Sequence, residues 1–228
     1  MLTILGLGFL LGARHALDAD HVAAVSTILS ERPSLRASGV IGVCWGFGHT
    51  TVLLLVGMAV ILLKVSIPES MGLAVELGVG LMLVGLGLSL AVTLVRERWH
   101  LHAHAHGGET HVHLHEHARG ADHLHHHWVR FSLKPFAVGM VHGLAGSAAL
   151  MLMVVSTVRT AGEGLAYILV FGLGSIVGMM LLGVALSVPL VLSAAWGRRA
   201  QEAVQALASL SSIGLGVSML VRHGLAIG

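Results

Sequence analysis

The sequence predicts an all-α polytopic membrane protein: six transmembrane helices in a 3+3 inverted repeat, with a disordered histidine-rich loop between the halves. Three observations predict it. Hydrophobic residues make up 55% and charged residues only 11% of the 228 residues, with a mean hydropathy of +0.87. A soluble domain carries about 25% charged residues. Next, six apolar runs approach the roughly 20 residues needed to cross a bilayer core of about 30 Å. Finally, twelve of the seventeen histidines fall between His100 and His127, in the longest stretch without an apolar run.

The first run, Leu2–Ser30, lacks a basic leading region and runs directly into Arg14, His15, Asp18, Asp20 and His21. It therefore reads as a permanent helix and not a cleaved signal peptide. Ala37–Val65 and Ser70–Val95 complete the first half, with Glu76 inside the third run. Pro135–Val158, Gly164–Leu192 and Val204–Val221 form the second. The expected units are residues 1–95, a loop at 96–134, and residues 135–228. Glycine sits inside the runs, and Gly8/Gly12, Gly42/Gly46, Gly139/Gly143 and Gly174/Gly178 have the GxxxG spacing that lets helices approach closely in lipid. Any single pair could arise by chance at this glycine content. Cys44 stands alone, which excludes an internal disulfide.

Orientation follows from the basic residues of short loops. Arg32, Arg36, Arg96, Arg98, Arg119, Arg130, Lys134, Arg198 and Arg199 follow the odd-numbered spans, against Lys64, Arg159 and Arg222 on the other side. Both termini are expected outside an inner, cytoplasmic membrane, with the histidine-rich loop in the cytoplasm.

The halves resemble each other. Gly12-Ala-Arg-His15-Ala-Leu17 matches Gly139-Met-Val-His142-Gly-Leu144 at an offset of 127, and Trp45-Gly-Phe-Gly48 matches Phe171-Gly-Leu-Gly174 at 126. Gly85-Leu-Gly-Leu-Ser-Leu90 matches Gly214-Leu-Gly-Val-Ser-Met219 at 129. A three-span repeat inserts the opposite way up from its partner, an organisation that places the substrate site near mid-membrane at the repeat interface.

Polar residues sit at that depth. At 1.5 Å per residue, His15 lies about 20 Å into the first span, near the bilayer centre. An unpaired charge there costs at least about 2.5–3.5 kcal/mol, so Arg14, His15, Asp18, Asp20 and His21 need a partner. A divalent cation would supply one. At about 100° per residue, His15, Asp18 and His21 share an arc of about 120°, while Asp20 lies about 140° from His15. Either Asp20 pairs elsewhere, with Arg14 or a neighbouring helix, or the helix is broken here. The plainer alternative is an Arg14–Asp ion pair that locks packing, with the histidines as satisfied interior residues.

His49 lies mid-way along the second span and His142, the repeat mate of His15, mid-way along the fourth. Imidazole with carboxylate suits nickel, cobalt or zinc, while a site without thiolate is less suited to copper(I). Asp18 and His142 are read as supporting or alternate-state partners. Glu76 could line the pathway or sit near its mouth. Ser175, the repeat mate of His49, reads as packing.

His15-Ala-Leu-Asp18-Ala-Asp20-His21 followed by Gly48-His49-Thr50-Thr51-Val52 resembles the paired signatures of the nickel/cobalt transporter family, and the six-span layout is similar to its short, UreH-like urease-accessory branch. The resemblance implies that His15, Asp20, His21 and His49 handle Ni2+ or Co2+. It also implies a cytoplasmic metallochaperone or urease accessory protein as partner. The chain departs from the classical members in lacking a leading helix and in carrying Ala145-Gly146-Ser147-Ala148-Ala149 where they have acidic residues.

The loop histidines, His100, His102, His104, His106, His111, His113, His115, His117, His123, His125, His126 and His127, alternate at a strand period. Without a buried face they are expected to be disordered in the absence of metal, and to buffer or deliver the ion. A solvated linker is the plainer alternative. No GxxxxGK[ST] phosphate loop is present, so nothing points to an ATPase. The sequence lacks the several His-x-x-His-His boxes of a desaturase-type enzyme, having a single one at His123–His127, and it lacks the cysteine pair of a thiol-electron carrier. The expectation is a secondary transporter, neither an enzyme nor a nucleic-acid binder, with a metal-delivery scaffold or an exporter as alternatives.

Overall fold

The structure, a computed structural model, describes residues 2–30, 34–65, 68–98, 100–106, 109–115, 133–145 and 160–225. Seven helices appear among them: α1 (Leu2–His15), α2 (Ala19–Ser30), α3 (Leu35–Leu63), α4 (Glu69–Arg98), α5 (residues 133–145), α6 (Ala161–Ala195) and α7 (Arg198–Gly224). Two strands, β1 (His100–His106) and β2 (Glu109–His115), lie between α4 and α5.

Four helices, α3, α4, α6 and α7, are long and apolar enough to cross a membrane. The first apolar run differs from a plain span. It is divided at Ala16–Asp18, where the Leu17 N–H donates to the Arg14 carbonyl at 2.9 Å and the Asp18 N–H to the His15 carbonyl at 3.1 Å. These i to i−3 bonds tighten the chain into a turn before Val22 resumes the helical pattern by donating to the Asp18 carbonyl. At 1.5 Å per residue the two pieces are only about 21 and 18 Å long. The fourth run is described as helix to residue 145; its remainder lies outside the described residues.

Helix ends follow local chemistry. Thr160 caps α6, its hydroxyl accepting the Glu163 N–H at 3.2 Å, which is the Thr-x-x-Glu signature of a helix start. Gly197 joins α6 to α7 at φ 109°, a conformation that disfavours any residue with a Cβ.

The long helix α6 is central, packing along α3 and α1, while α4 pairs with α7 and α2 lies against α7, α6 and α4. Trp45, Leu29, Leu83, Val79 and Met179 are fully buried where these helices meet. Large hydrophobics such as Leu62, Leu81, Leu181 and Leu207 face outward, as lipid-facing positions require.

Glycine makes the close crossings. A Cβ on Gly12 would collide with the Phe171 carbonyl, and one on Gly174 with the Phe9 carbonyl. The same pattern recurs between α5 and α3, where Gly139 abuts the Trp45 carbonyl and Gly48 the Phe136 carbonyl. Every member of the four GxxxG pairs meets another helix within 3.0 Å of where its Cβ would stand, so none of the four is idle.

Buried polar groups of α7 are spent on backbone carbonyls, as membrane helices require. Ser209 and Ser212 donate to the carbonyls of Gly87 (2.8 Å) and Leu83 (2.9 Å), and Gln205 donates to Ser30 at 2.8 Å.

The histidine-rich segment departs from the expected disorder. Strands β1 and β2 pair antiparallel, with His100 opposite His115, His102 opposite His113 and His104 opposite His111. The strand period of the alternating sequence allows each strand to satisfy its neighbour's backbone groups. His117, His123, His125, His126 and His127 lie outside the described residues.

Candidate metal centre

The break in the first apolar run carries the centre. His15 is the last residue of α1, and Asp20 and His21 open α2. His49 comes from the middle of α3 and His142 from α5. Gly48 lets α5 approach α3 at the level of these rings, and Gly143 abuts the His49 carbonyl at 2.7 Å from its would-be Cβ. A bulkier residue at either glycine would push the histidines apart.

Four imidazoles converge. The His15 ring lies 4.7 Å from that of His21 and 5.1 Å from that of His49, and His21 lies 5.4 Å from His49 and 4.7 Å from His142, centroid to centroid. Two sets of three donors have their ligating atoms within 4.8 Å of one another: His15, His21 and His49, and Asp20, His21 and His142. A metal with bonds of about 2.0–2.2 Å could gather either set with small side-chain movements.

Polar satisfaction points the same way. His49 is 0% exposed, and His21 and His142 are each 1% exposed. Neither ring nitrogen of any of the three has a hydrogen-bond partner among the described residues. Asp20 approaches His142 Nε2 at 3.2 Å and His21 Nδ1 at 3.4 Å, as close charge contacts without hydrogen-bond geometry. Leaving one such group unsatisfied costs about 1–3 kcal/mol, and three buried imidazoles in one place, each with one lone pair to give, are a coherent donor set for a cation. The satisfied-interior-residue alternative does not describe these three histidines.

Asp18 supports the cluster from behind. Its carboxylate lies 2.7 Å from His15 Nδ1. Such a carboxylate–histidine contact fixes ring orientation and leaves Nε2 for a metal. Aromatic walls close the site: Phe171 packs 5.7 Å from His15, and Trp45 packs 5.2 Å from His142 and 6.4 Å from His21. Neither ring was a candidate from sequence, although Trp45 and Phe171 occupy matching positions of two similar segments at an offset of 126, the one signal that could have singled them out.

The structure thus brings His15, Asp18, Asp20, His21, His49 and His142 together. It does not bring in Arg14, which is exposed and makes no ion pair among the described residues, so the Arg14–Asp lock is not formed. Glu76 joins neither set. It pairs with His223 of α7 at 2.7 Å, and His223 Nδ1 lies 3.0 Å from the Met219 carbonyl. A metal held by either donor set is therefore expected to keep its affinity when Glu76 is replaced by Gln, as calorimetry on the purified protein would measure. Ser175 packs as expected, its hydroxyl lying 3.1 Å from the Phe171 carbonyl and 3.2 Å from that of Gly12.

Residues 1–221 match the family described as "High-affinity nickel-transport protein", NicO. The chain belongs to the NicO family. It is also 38% identical over 200 residues to the "Urease accessory protein UreH" of Bacillus sp. (strain TB-90), a match spanning 85% of this chain and 80% of that relative. No solved structure matches. NicO membership and the four apolar helices establish an integral membrane protein of a transport family, with a nickel-related role and no enzymatic one.

Proposed function

We propose that this NicO protein is a secondary transporter that carries Ni2+, or Co2+, through a mid-membrane site formed by His15, Asp20, His21 and His49. The observation that carries the reading is the set of buried imidazole nitrogens of His21, His49 and His142 without hydrogen-bond partners, beside the Asp20 carboxylate. A dication satisfies the nitrogens and neutralises carboxylates that would otherwise be costly at that depth. The ion is the cargo, and the chain supplies its ligands.

The proposed architecture is six spans in two inverted halves, residues 1–95 and 135–228. The reciprocal glycine contacts support it. Gly12 on Phe171 and Gly174 on Phe9 are related to Gly139 on Trp45 and Gly48 on Phe136 by the sequence offsets of 126 and 127. The contact of Ser212 with Leu83 joins two residues 129 apart, the offset of the third match, so it lies where the two halves would exchange. Rocking one half against the other would expose the site to each side in turn.

Protons compete with metal for imidazole and carboxylate. Initial Ni2+ flux into proteoliposomes is therefore expected to fall as the pH of both compartments is lowered together from 7.5 to 5.5. A rate that rises over that range would contradict histidine ligation.

The proposed orientation puts both termini outside the inner membrane and the loop of residues 96–134 in the cytoplasm, where His102, His104, His106, His111, His113 and His115 buffer or deliver the ion. The UreH relative favours a second reading, in which the membrane part anchors a delivery scaffold for a metalloenzyme of the urease type, working with a cytoplasmic accessory protein. Deleting residues 101–126 at matched expression separates the two. A transporter keeps nickel flux and loses only retention of the ion, whereas a scaffold loses enzyme maturation on this deletion yet keeps it when His15 and His21 are replaced by alanine. An exporter would show cellular nickel rising when the whole protein is removed.

A further inference from the structure

We infer that the centre holds two overlapping ion positions and that the ion passes between them with His21 as the ligand common to both. This rests on the transport reading above and specifies how the ion would move through the site.

The donor atoms divide into two sets, His15, His21 and His49 on one hand and Asp20, His21 and His142 on the other, with only His21 in both. The members that distinguish the sets along the first apolar run lie on either side of its break: His15 ends α1 and Asp20 is in the first turn of α2. They are also displaced along α3. His15 and His21 pack on the His49 ring, whereas His142 packs on Trp45, one turn of about 5.4 Å nearer the start of the helix. That is the end of α3 that follows α2 in the chain. Each set combines one partly exposed member, His15 or Asp20, with two buried ones.

Chemistry makes the positions alternatives. A neutral imidazole has one lone pair available, its other nitrogen carrying the proton, so His21 serves one ion at a time. Two dications a few ångströms apart would also repel, and among the described residues only Asp18 and Asp20 bring carboxylates to the cluster. A single ion bound to His15, His21 and His49 would exchange the two bonds to His15 and His49 for bonds to Asp20 and His142 while keeping His21. Ligand lone pairs are swapped two for two, and no proton or electron is transferred. The second position supplies a negative ligand that the first lacks. His142 is then a transport ligand in its own right.

The test is Ni2+ X-ray absorption and equilibrium binding on the full chain in nanodiscs, with flux measured in proteoliposomes. Because the loop histidines are also proposed to hold Ni2+, the centre is read as the difference from His21→Ala: one His21-dependent Ni2+ per chain is expected, with a wild-type difference spectrum that is a weighted sum of those of His142→Ala and His49→Ala. Each of these variants should still bind one ion at the centre, with association constants that sum to the wild-type value, while flux should fall at least about tenfold in both. His142→Gln, which preserves side-chain bulk, should behave as His142→Ala; a loss with alanine alone marks a packing role and overturns the proposal. Wild-type spectrum and flux in both His142 variants, or two His21-dependent Ni2+ per chain, would also overturn it while leaving the transport reading intact. A wild-type chain that binds no more Ni2+ than His21→Ala would remove both.

Discussion

Replacing His21 by alanine is expected to abolish Ni2+ flux in proteoliposomes and to lower Ni2+ affinity by more than about 100-fold, a larger loss than the 10–100-fold typical of outer partners. The side chain contributes to both donor sets, so no alternative triad survives its removal. Membrane insertion should persist, because the His21 ring nitrogens make no hydrogen bond among the described residues and alanine keeps the helical propensity of α2. The variant leaves a cavity beside Trp45, at a cost typical of a large-to-small core change, about 2–5 kcal/mol. Size-exclusion behaviour and circular dichroism in detergent check that the fold remains, and equilibrium dialysis with radioactive nickel measures the loss. Retained flux at the wild-type rate would contradict the assignment of the centre.

The second large effect is structural. Gly48→Val should prevent α5 from seating against α3, because even the first carbon of the new side chain would collide with the Phe136 carbonyl. Overpacking a core costs about 1–3 kcal/mol when neighbours can shift; here the neighbour is backbone, and valine adds two further carbons. Expected outcomes are a thermal midpoint in detergent lowered by several degrees and loss of Ni2+ binding, since His49 and His142 are carried by the two helices that must separate. Gly78→Ala is the matched control, because nothing lies within 4 Å of its would-be Cβ, and it should leave both properties unchanged. A Gly48→Val protein with wild-type stability and binding would show that the α3–α5 crossing does not hold the site together.

Much of the centre was legible in the sequence because charge inside an apolar run is costly enough to demand a reason. Arg14, His15, Asp18, Asp20 and His21 stood out on that ground, and the structure gathers all of them but Arg14; His49 was marked by its place mid-way along the second span and by the family resemblance. The place of Asp20 was not legible. On a regular helix it points away from His15, and nothing in Ala16-Leu17-Asp18-Ala19 is a glycine or proline that would announce a break. The turn at Ala16–Asp18 redirects α2 and brings Asp20 to His142. His142 was visible only through the repeat offset from His15, and Trp45, being apolar in an apolar span, carried no chemical signal at all.

The fold shows the same division. Runs of apolar residues marked α3, α4, α6 and α7, since length and hydropathy are local properties. Partnerships are not local. The Glu76–His223 pair joins residues of α4 and α7 far apart in the chain, and Gln205 reaches Ser30; composition and periodicity say nothing about either. The alternation in His100–His115 was legible as a strand period, but a tract without an apolar face gave no reason to expect strands to pair. In the structure they pair with each other, His102 opposite His113.

The most direct test of the central claim is metal flux into proteoliposomes containing only this protein, across Ni2+, Co2+, Zn2+ and Mn2+, with and without an imposed pH gradient. The account predicts protein-dependent, saturable flux of Ni2+ or Co2+, well above that of Mn2+, which favours oxygen-rich sites, and lost on His21→Ala. No protein-dependent flux of any of the four ions under either condition, from protein shown to be folded and inserted, would contradict it.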